Sequence, residues 1–307
     1  MGLCDRMEQR IGRFAERITP RRRGDVIDTY RNIRLGMVSL IAMLAFAVFG
    51  DSIASHDIRF SISDYYDSSA RAVFIATLCA MGAMLMAYKG RTEIEDVLLN
   101  FAGFLAFLVA FIPTNTPDRQ PDPPLDWIVK NAWTAVFGGL FAMTVWALLS
   151  GAGRFATPPR PTLAGLVVRV LALAPVVVVV AQVTWFDTAT RVSPHGVAAV
   201  SMFVMLTGVV VLNGLVVMAG DVPVKYARWY FGTALVMLVT IVVAIVATLS
   251  GWGAGVNLIF WVEWVLLAAF GAFWIVQTFE RWDEEKQLGE FEKVAAPGPP
   301  SGEQTGR

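Results

Sequence analysis

The sequence has few charged residues, few cysteines and few histidines. Charged residues make up 16% of its 307 residues, compared with about 25% in soluble proteins. The net charge is zero, which gives no support for nucleic-acid binding. Cys4 and Cys79 form no CxxC motif, so neither a disulfide framework nor a thiolate metal site is indicated. His56 and His195 are too few for a three-histidine zinc site, and these residue types predict no cofactor.

Apolar residues are in excess and account for 56% of the chain. They are concentrated in eight segments, each close to the ~20 residues that cross the ~30 Å core of a bilayer. The segments predict an all-α fold, a polytopic transmembrane helical bundle of about eight spans within residues 33–280. Their approximate limits are 33–54, 71–89, 97–112, 131–150, 163–185, 195–219, 228–250 and 256–279.

Two polar segments flank the predicted bundle. Residues 1–32 are rich in arginine, and apolar residues recur there every three or four positions, the pattern of an amphipathic helix. Such a helix would lie on the cytoplasmic membrane surface with its arginines near anionic lipid head groups. The alternative is a solvated arm whose arginines only set the topology. Residues 281–307 predict a cytoplasmic, largely disordered tail, because its polar, proline-containing end can bury little apolar surface.

The lysines and arginines predict on which side of the membrane each loop lies. They are concentrated at the N-terminus, in the loops after the even-numbered spans and in the C-terminal tail. By the positive-inside rule, both termini are therefore expected in the cytoplasm. The expected location is the inner (plasma) membrane of a bacterial-type cell, with the lipid bilayer as the surrounding solvent.

A polar stretch, SISDYYDSSAR, lies between the first two predicted spans, on the predicted outer side. It is unusual because apolar segments border it on both sides. We expect it to form the lid or rim of an outward-facing polar pocket; the alternative is a packed clasp that ties helix ends together. The side chains that would contact a ligand are Ser61, Ser63, Asp64, Tyr65, Tyr66 and Arg71.

Two charged residues, Arg169 and Glu263, fall well inside predicted spans, where an ionised side chain is costly. Arg169 lies near the inner border, so its long side chain can snorkel to the interface. This favours an inner-leaflet anchor; the alternative is a functional residue within the membrane. The shorter Glu263 must find a polar partner, face water or remain protonated. Helical side chains lean toward the N-terminus of their own helix, and the two predicted helices run in opposite directions. The two side chains therefore lean apart. A direct pair is not expected, and Glu263 is predicted to form the floor of the outer pocket.

His195 opens the sixth predicted span and completes the candidate ligand-binding set. As a pH switch or general base, it would need a partner within hydrogen-bond reach; the alternative is a residue that only covers the membrane interface. Serine, aspartate and histidine are the residue types of a serine hydrolase, but no GxSxG motif is present. No catalytic residue is therefore predicted. The candidate set is Ser61, Ser63, Asp64, Tyr65, Tyr66, Arg71, His195 and Glu263.

Three local patterns predict details of the helices. Thr92 and Glu95 have the spacing of a capping box before the third span. Ser193 followed by Pro194 is typical of a helix start and opens the sixth span. Asn213, inside that span, is predicted to make an interhelical hydrogen bond.

Several runs resemble a known group of proteins. The run SISDYYDSSARAVFIATLCAMGAMLMAYKG, followed by EDVLLNFAGFLAFLVAFIPT, resembles the opening half of a group of uncharacterised bacterial multi-span membrane proteins. That group is loosely similar to the DRAM/FRAG/Sfk-like membrane proteins. The later runs HGVAAVSMF and FWVEWVLLAAFGAFWIV are compatible with it. The resemblance implies a multi-span helical fold and no particular reaction.

Three functions fit this sequence. The first is binding or transport of a small molecule or lipid, which predicts a cavity between the polar stretch and Glu263. The second is a structural or regulatory partner of other membrane proteins, which predicts a packed polar network without a cavity. The third, an intramembrane hydrolase, needs two catalytic groups close to one reacting atom. The first is the leading expectation, and an enzyme is not.

Overall fold

The computed structural model describes residues 25–114, 125–153, 161–185, 193–220 and 222–295, and every regular element in these ranges is helical. The all-α class is therefore confirmed. Short 3-10 helices occur at Ser63–Asp67 and Ala254–Val256. The α-helices are α1 (Asp25–Ser55), α2 (Arg71–Ala87), α3 (Glu93–Phe111), α4 (Leu125–Gly151), α5 (Leu163–Trp185), α6 (Pro194–Ala219), α7 (Val224–Ser250) and α8 (Leu258–Ala295).

Each of the eight predicted apolar segments corresponds to one of these α-helices. In the described part of the chain, seven of them are long and apolar enough to cross a membrane. The remaining one, α2, has 17 residues and is about 25 Å long at 1.5 Å per residue. It is apolar and packs between α1 and α3. The protein is therefore a multi-pass integral membrane protein with a helical-bundle fold.

The helices extend into both flanking segments. α1 begins at Asp25, inside the segment 1–32, whereas residues 1–24 and the predicted amphipathic pattern lie outside the described residues. α8 continues to Ala295 and so includes residues 281 to 295 of the predicted tail. Glutamate, lysine, glutamine and leucine dominate that part, and these residues favour helix extension.

The predicted helix starts at α3 and α6 are confirmed. The Thr92 hydroxyl accepts a hydrogen bond from the Glu95 amide at 3.1 Å, while the Glu95 carboxylate accepts one from the Arg91 amide at 2.7 Å. The carboxylate therefore reaches one residue further back than in a standard capping box. At α6, the Ser193 hydroxyl accepts from the Gly196 amide at 3.0 Å.

Six helices form a closed ring. α1 packs against α2, α2 against α3, α3 against α6, α6 against α7, α7 against α8, and α8 returns to α1. α5 packs outside this ring against α3 and α6, and α4 packs against α3 and α5. The outward faces carry large apolar side chains such as Phe46, Phe141 and Leu163, which are 82%, 72% and 79% exposed. These apolar side chains are suited to contact with the hydrocarbon chains of lipids.

α2 and α3 approach each other closely through two glycines. A Cβ atom on Gly82 would lie 2.6 Å from the Gly103 carbonyl oxygen, and one on Gly103 would lie 2.5 Å from the Gly82 carbonyl oxygen. Small residues of this kind let membrane helices approach through their backbones. The contact holds α2 firmly against α3 and so positions the wall of the ring.

Candidate functional site

The polar stretch enters the bundle rather than forming an open rim. Residues 61–66, which we call the plug, are all buried, with exposed fractions between 0% and 6%. They lie where α1, α3 and α5 end and α2, α6 and α8 begin, an end of the bundle that we call the plug end. This burial favours the predicted alternative of a packed clasp over an open lid or rim. The plug can be buried because its polar groups form hydrogen bonds with one another and with the ends of neighbouring helices.

Asp64 holds the plug together. Its Oδ2 accepts a hydrogen bond from the Ser61 amide at 3.1 Å, and the Ser61 hydroxyl accepts one from the Asp64 amide at 3.1 Å. This reciprocal pair has the chemistry of a capping box at the start of the 3-10 helix. The Thr114 hydroxyl, after α3, donates to Asp64 Oδ1 at 2.6 Å. Both oxygens of Asp64 are thus used for structure.

The two tyrosines and Arg71 also bind protein groups. The Tyr65 hydroxyl makes a short hydrogen bond with the Ser52 hydroxyl of α1. The Arg71 guanidinium lies over the Tyr66 ring, 4.4 Å from its centroid, in a cation–π contact. The structure does not bring these three candidate side chains to a common ligand site.

Glu263 of α8 does meet the plug. Its Oε2 accepts a hydrogen bond from the Ile62 amide at 2.5 Å, and the Ser63 amide and hydroxyl also interact with this carboxylate. Consecutive backbone amides that point at one carboxylate form a small anion-binding nest. The predicted meeting of Glu263 with the polar stretch is therefore confirmed, although the partner atoms are mainly backbone amides.

Arg169 has another partner, as expected from the opposite lean of the two side chains. Its Nη1 lies 2.6 Å from Glu93 Oε1 in the first turn of α3. The Thr162 amide and hydroxyl donate to Glu93 Oε2 at 3.1 and 2.9 Å. The interpretation of Arg169 as an inner-leaflet anchor that only snorkels was therefore incomplete, since the residue ties α5 to α3.

His195 joins the plug to the end of α3. Its Nδ1 lies 2.5 Å from the Ile112 carbonyl oxygen, and its Nε2 lies 2.8 Å from the Ser63 hydroxyl oxygen. A carbonyl oxygen only accepts, so these bonds assign the proton to Nδ1. Nε2 is then an acceptor for the Ser63 hydroxyl. That hydroxyl also interacts with the Glu263 carboxylate, and because it has one proton, it donates either to Nε2 or to the carboxylate. His195 and Ser63 are both buried, at 4% and 6% exposure.

A narrow apolar cavity lies beside Ser63 and Glu263. Its volume is about 50 Å³, and its polar lining comes from these two side chains. On α2 the lining runs from Phe74 to Leu85, which is about 16 Å along the helix axis. The cavity is thus long and thin, with its polar groups at the plug end. The lining residues are Leu44, Ile62, Ser63, Phe74, Leu78, Met81, Leu85, Ala106, Val109, Ala199, Met202, Phe203, Leu206, Glu263, Leu267 and Phe270.

The opposite end of the ring holds a buried polar network that the sequence analysis largely missed. Asn213 of α6 donates to Glu95 Oε1 at 2.8 Å and accepts from Gln277 Nε2 at 3.0 Å. The Tyr88 hydroxyl donates to Gln277 Oε1 at 3.0 Å and accepts from Arg34 at 3.4 Å. The predicted interhelical role of Asn213 is confirmed, and its bonds link α3, α6 and α8.

A second branch of this network closes the same end. Arg91 Nη2 lies 2.5 Å from Glu280 Oε1, and the Tyr230 hydroxyl donates to Glu280 Oε2 at 2.8 Å. The Arg281 guanidinium also donates to Tyr88 at 3.2 Å. Burial raises the pKa of the Tyr88 phenol, so this hydroxyl keeps its proton and can donate to Gln277. The network therefore fastens five helices and the loop before α3 at this end.

In sequence, the available signal for the network was a set of polar residues inside apolar segments. Glu95, Asn213 and Gln277 occupy such positions, and polar residues within spans usually face a protein partner. Only the folded arrangement shows that they face one another. Among the described residues, no group of three or more metal-ligating side chains comes together.

No family model, no curated protein and no solved structure matches this chain. The family suggested by the resemblance of its spans is thus not shown, and function is argued from the site itself.

Proposed function

We propose that this protein binds a slender, mainly apolar molecule with a neutral polar end, such as one acyl chain of a lipid, in the cavity within the helix ring. The main observation is the distribution of polar groups in the cavity. Its walls are apolar along about 16 Å, and its two polar side chains, Ser63 and Glu263, lie at one end. A site of this kind suits an amphipathic ligand, because the chain replaces water along the walls and the polar end meets hydrogen-bonding groups.

The volume of the cavity limits the ligand. Pockets for drug-sized ligands measure about 300–1,000 Å³, whereas this cavity measures about 50 Å³. A bulky or branched molecule therefore does not fit, and a single flexible chain that runs the length of the cavity has to displace lining side chains. Met81 and Met202 line the cavity, and methionine side chains adjust readily to such changes.

Charge around the polar end limits the head group. The Glu263 carboxyl lines the cavity, and the Asp64 carboxyl lies in the same plug. The nearby cations lie at the edge of the plug, where Arg59 contacts the Asp64 carbonyl and Arg71 covers Tyr66. Among the described residues no Lys or Arg lines the cavity, so an anionic head group would find no counter-ion at its polar end. An ester, amide or hydroxyl fits better.

The orientation of the site in the membrane forms part of the proposal. With both termini in the cytoplasm, the plug end faces outward and the Asn213 network faces the cytoplasm. The N-terminal arginines then lie beside anionic lipid head groups, and the proposed location is a bacterial-type inner membrane. Hydrogen-bonded polar groups lie at both ends of the ring, which favours binding or carriage of a molecule over an open channel.

The test is photo-crosslinking of the detergent-purified protein with a medium-chain ester that carries a diazirine. Ala199→Phe fills the cavity from α6, and Val204→Phe adds a ring on the same helix at a site that is 50% exposed to lipid. We expect crosslinking inside the cavity to fall about tenfold or more in Ala199→Phe, because the added ring occupies the space of the chain; a tenfold loss corresponds to about 1.4 kcal/mol of binding free energy. The Val204→Phe protein should crosslink like the wild type.

Equal crosslinking in both variants, or crosslinks confined to lipid-facing residues, would contradict the proposal. Such a result, together with stoichiometric co-purification of another membrane protein, would favour the structural role instead.

A further inference from the structure

We propose that Ser63 and His195 form a nucleophile–base pair that transfers the acyl group of a neutral ester bound in the cavity. This inference rests on the proposed function, because the ester is the polar end of the molecule that the cavity holds. Its geometric basis is a serine hydroxyl 2.8 Å from a histidine nitrogen whose other nitrogen is held at 2.5 Å by a backbone carbonyl.

The hydrogen bonds give His195 the tautomer that a general base needs. Nδ1 carries the proton and donates it to the Ile112 carbonyl oxygen, so the lone pair of Nε2 points at the Ser63 hydroxyl. This is the nucleophile–base–orienter arrangement of serine enzymes, here with a backbone carbonyl as the orienting group. The Asp64 carboxylate also interacts electrostatically with the ring.

Ser63 lines the cavity, whereas Ser61, the other serine of the plug, does not. The Ser61 hydroxyl is occupied by the Asp64 amide and does not line the cavity in the described part of the chain. The Ser63 hydroxyl lines the cavity and lies 2.8 Å from His195 Nε2, where the Glu263 carboxylate competes for its proton. Of the two, Ser63 alone is therefore placed between a base and a ligand.

The reaction proceeds in two balanced stages. In the first, His195 Nε2 takes the Ser63 hydroxyl proton, Ser63 Oγ bonds to the ester carbonyl carbon, and the alcohol leaves with the proton that His195 returns. In the second, water attacks the acyl–serine carbon, His195 takes its proton and returns it to Ser63 Oγ. The products are a carboxylic acid and an alcohol, and water is the co-reactant.

The attack of Ser63 places negative charge on the carbonyl oxygen of the ester, and hydrogen-bond donors are needed to stabilise it. The Ile62 and Ser63 amides converge on the Glu263 carboxylate in the resting structure. An ester oxygen that enters the cavity at the plug end takes the place of that carboxylate oxygen at the two amides. Donors of this type stabilise the tetrahedral intermediate of acyl transfer.

The test uses the protein in detergent and an alkyl fluorophosphonate, which phosphonylates an activated serine oxygen as fluoride leaves. We expect one labelled peptide, with the label on Ser63. Ser63→Ala should abolish this label, and His195→Gln should slow labelling about 100-fold or more, the usual contribution of a general base. The control Ser69→Ala changes an exposed serine that binds Asp51, and it should label at the wild-type rate.

A second measurement separates this inference from the proposed function. If the diazirine ester crosslinks inside the cavity while the fluorophosphonate leaves Ser63 unlabelled, the nucleophile assignment is wrong and the binding function stands. If neither reagent reacts in the cavity, both proposals fail. If His195→Gln is poorly folded, Ser63→Ala in the folded protein decides the question, because labelling that persists on another residue excludes Ser63 as the nucleophile.

Discussion

Replacing Asn213 by leucine should destabilise the protein strongly, although leucine is apolar and close in volume. Asn213 is 0% exposed and makes side-chain bonds of 2.8 Å to Glu95 and 3.0 Å to Gln277. The substitution deprives a buried carboxylate oxygen and a buried amide nitrogen of these bonds at the same time. The end of the ring opposite the plug should therefore loosen.

The size of the effect follows from these two bonds. In water-soluble proteins each unsatisfied buried polar group costs about 1–3 kcal/mol, more if it is charged. Hydrogen bonds between membrane helices average only about 0.6 kcal/mol and reach about 1.7 kcal/mol. Because Glu95 keeps its bond to the Arg91 amide at 2.7 Å, we expect an intermediate loss of about 2 kcal/mol in the free energy of unfolding.

The assay is reversible unfolding in mixed micelles with increasing dodecyl sulfate, followed by circular dichroism. The control is Thr248→Val on the exposed face of α7, whose hydroxyl bonds only the Ala244 carbonyl of its own helix. Its effect should stay within about 0.5 kcal/mol. A loss below about 0.5 kcal/mol for Asn213→Leu would refute the assignment of the network as a fastening between helices.

Two further predictions concern packing and orientation. Gly103→Ala should destabilise the protein by about 1–3 kcal/mol in the same unfolding assay, because its Cβ would lie 2.5 Å from the Gly82 carbonyl oxygen. Gly138→Ala on α4 is the matched control, since its Cβ meets nothing within 4 Å, and an unaffected Gly103→Ala protein would show that α2 and α3 are further apart. In a cysteine-free background, exposed Ser69→Cys should react with a membrane-impermeant maleimide on intact cells, and exposed Lys225→Cys only after permeabilisation. The reverse pattern would overturn the predicted topology.

The number of helices was predictable because a bilayer admits only segments whose backbone groups bond internally. Local side-chain contacts were also predictable, as the caps at Thr92 and Ser193 show. The approach of Glu263 to the polar stretch followed from the directions of two helices and the lean of one side chain. These inferences need only sequence spacing and the direction of each span.

The burial of the plug could not be read from the sequence. A run such as Ser61–Tyr66 is polar enough for an exposed loop, and its internal bonds form only when Ser61 and Asp64 cap the 3-10 helix. The pairing of Arg169 with Glu93 was missed for a related reason. The pair forms only because α5 lies beside α3. Which helices become neighbours depends on the packing of the whole bundle, and neither segment's sequence reveals it.

The account depends most on the cavity holding a chain with its polar end at the plug. The most direct measurement is the position of crosslinks from two forms of the same ester, one with the diazirine beside the ester and one with it at the chain end. We expect the first to label Ile62, Ser63 or Glu263, and the second to label Met81 or Leu85, which line the far part of the cavity. Crosslinks from both forms at the same lipid-facing residues, with none in the cavity, would contradict the account.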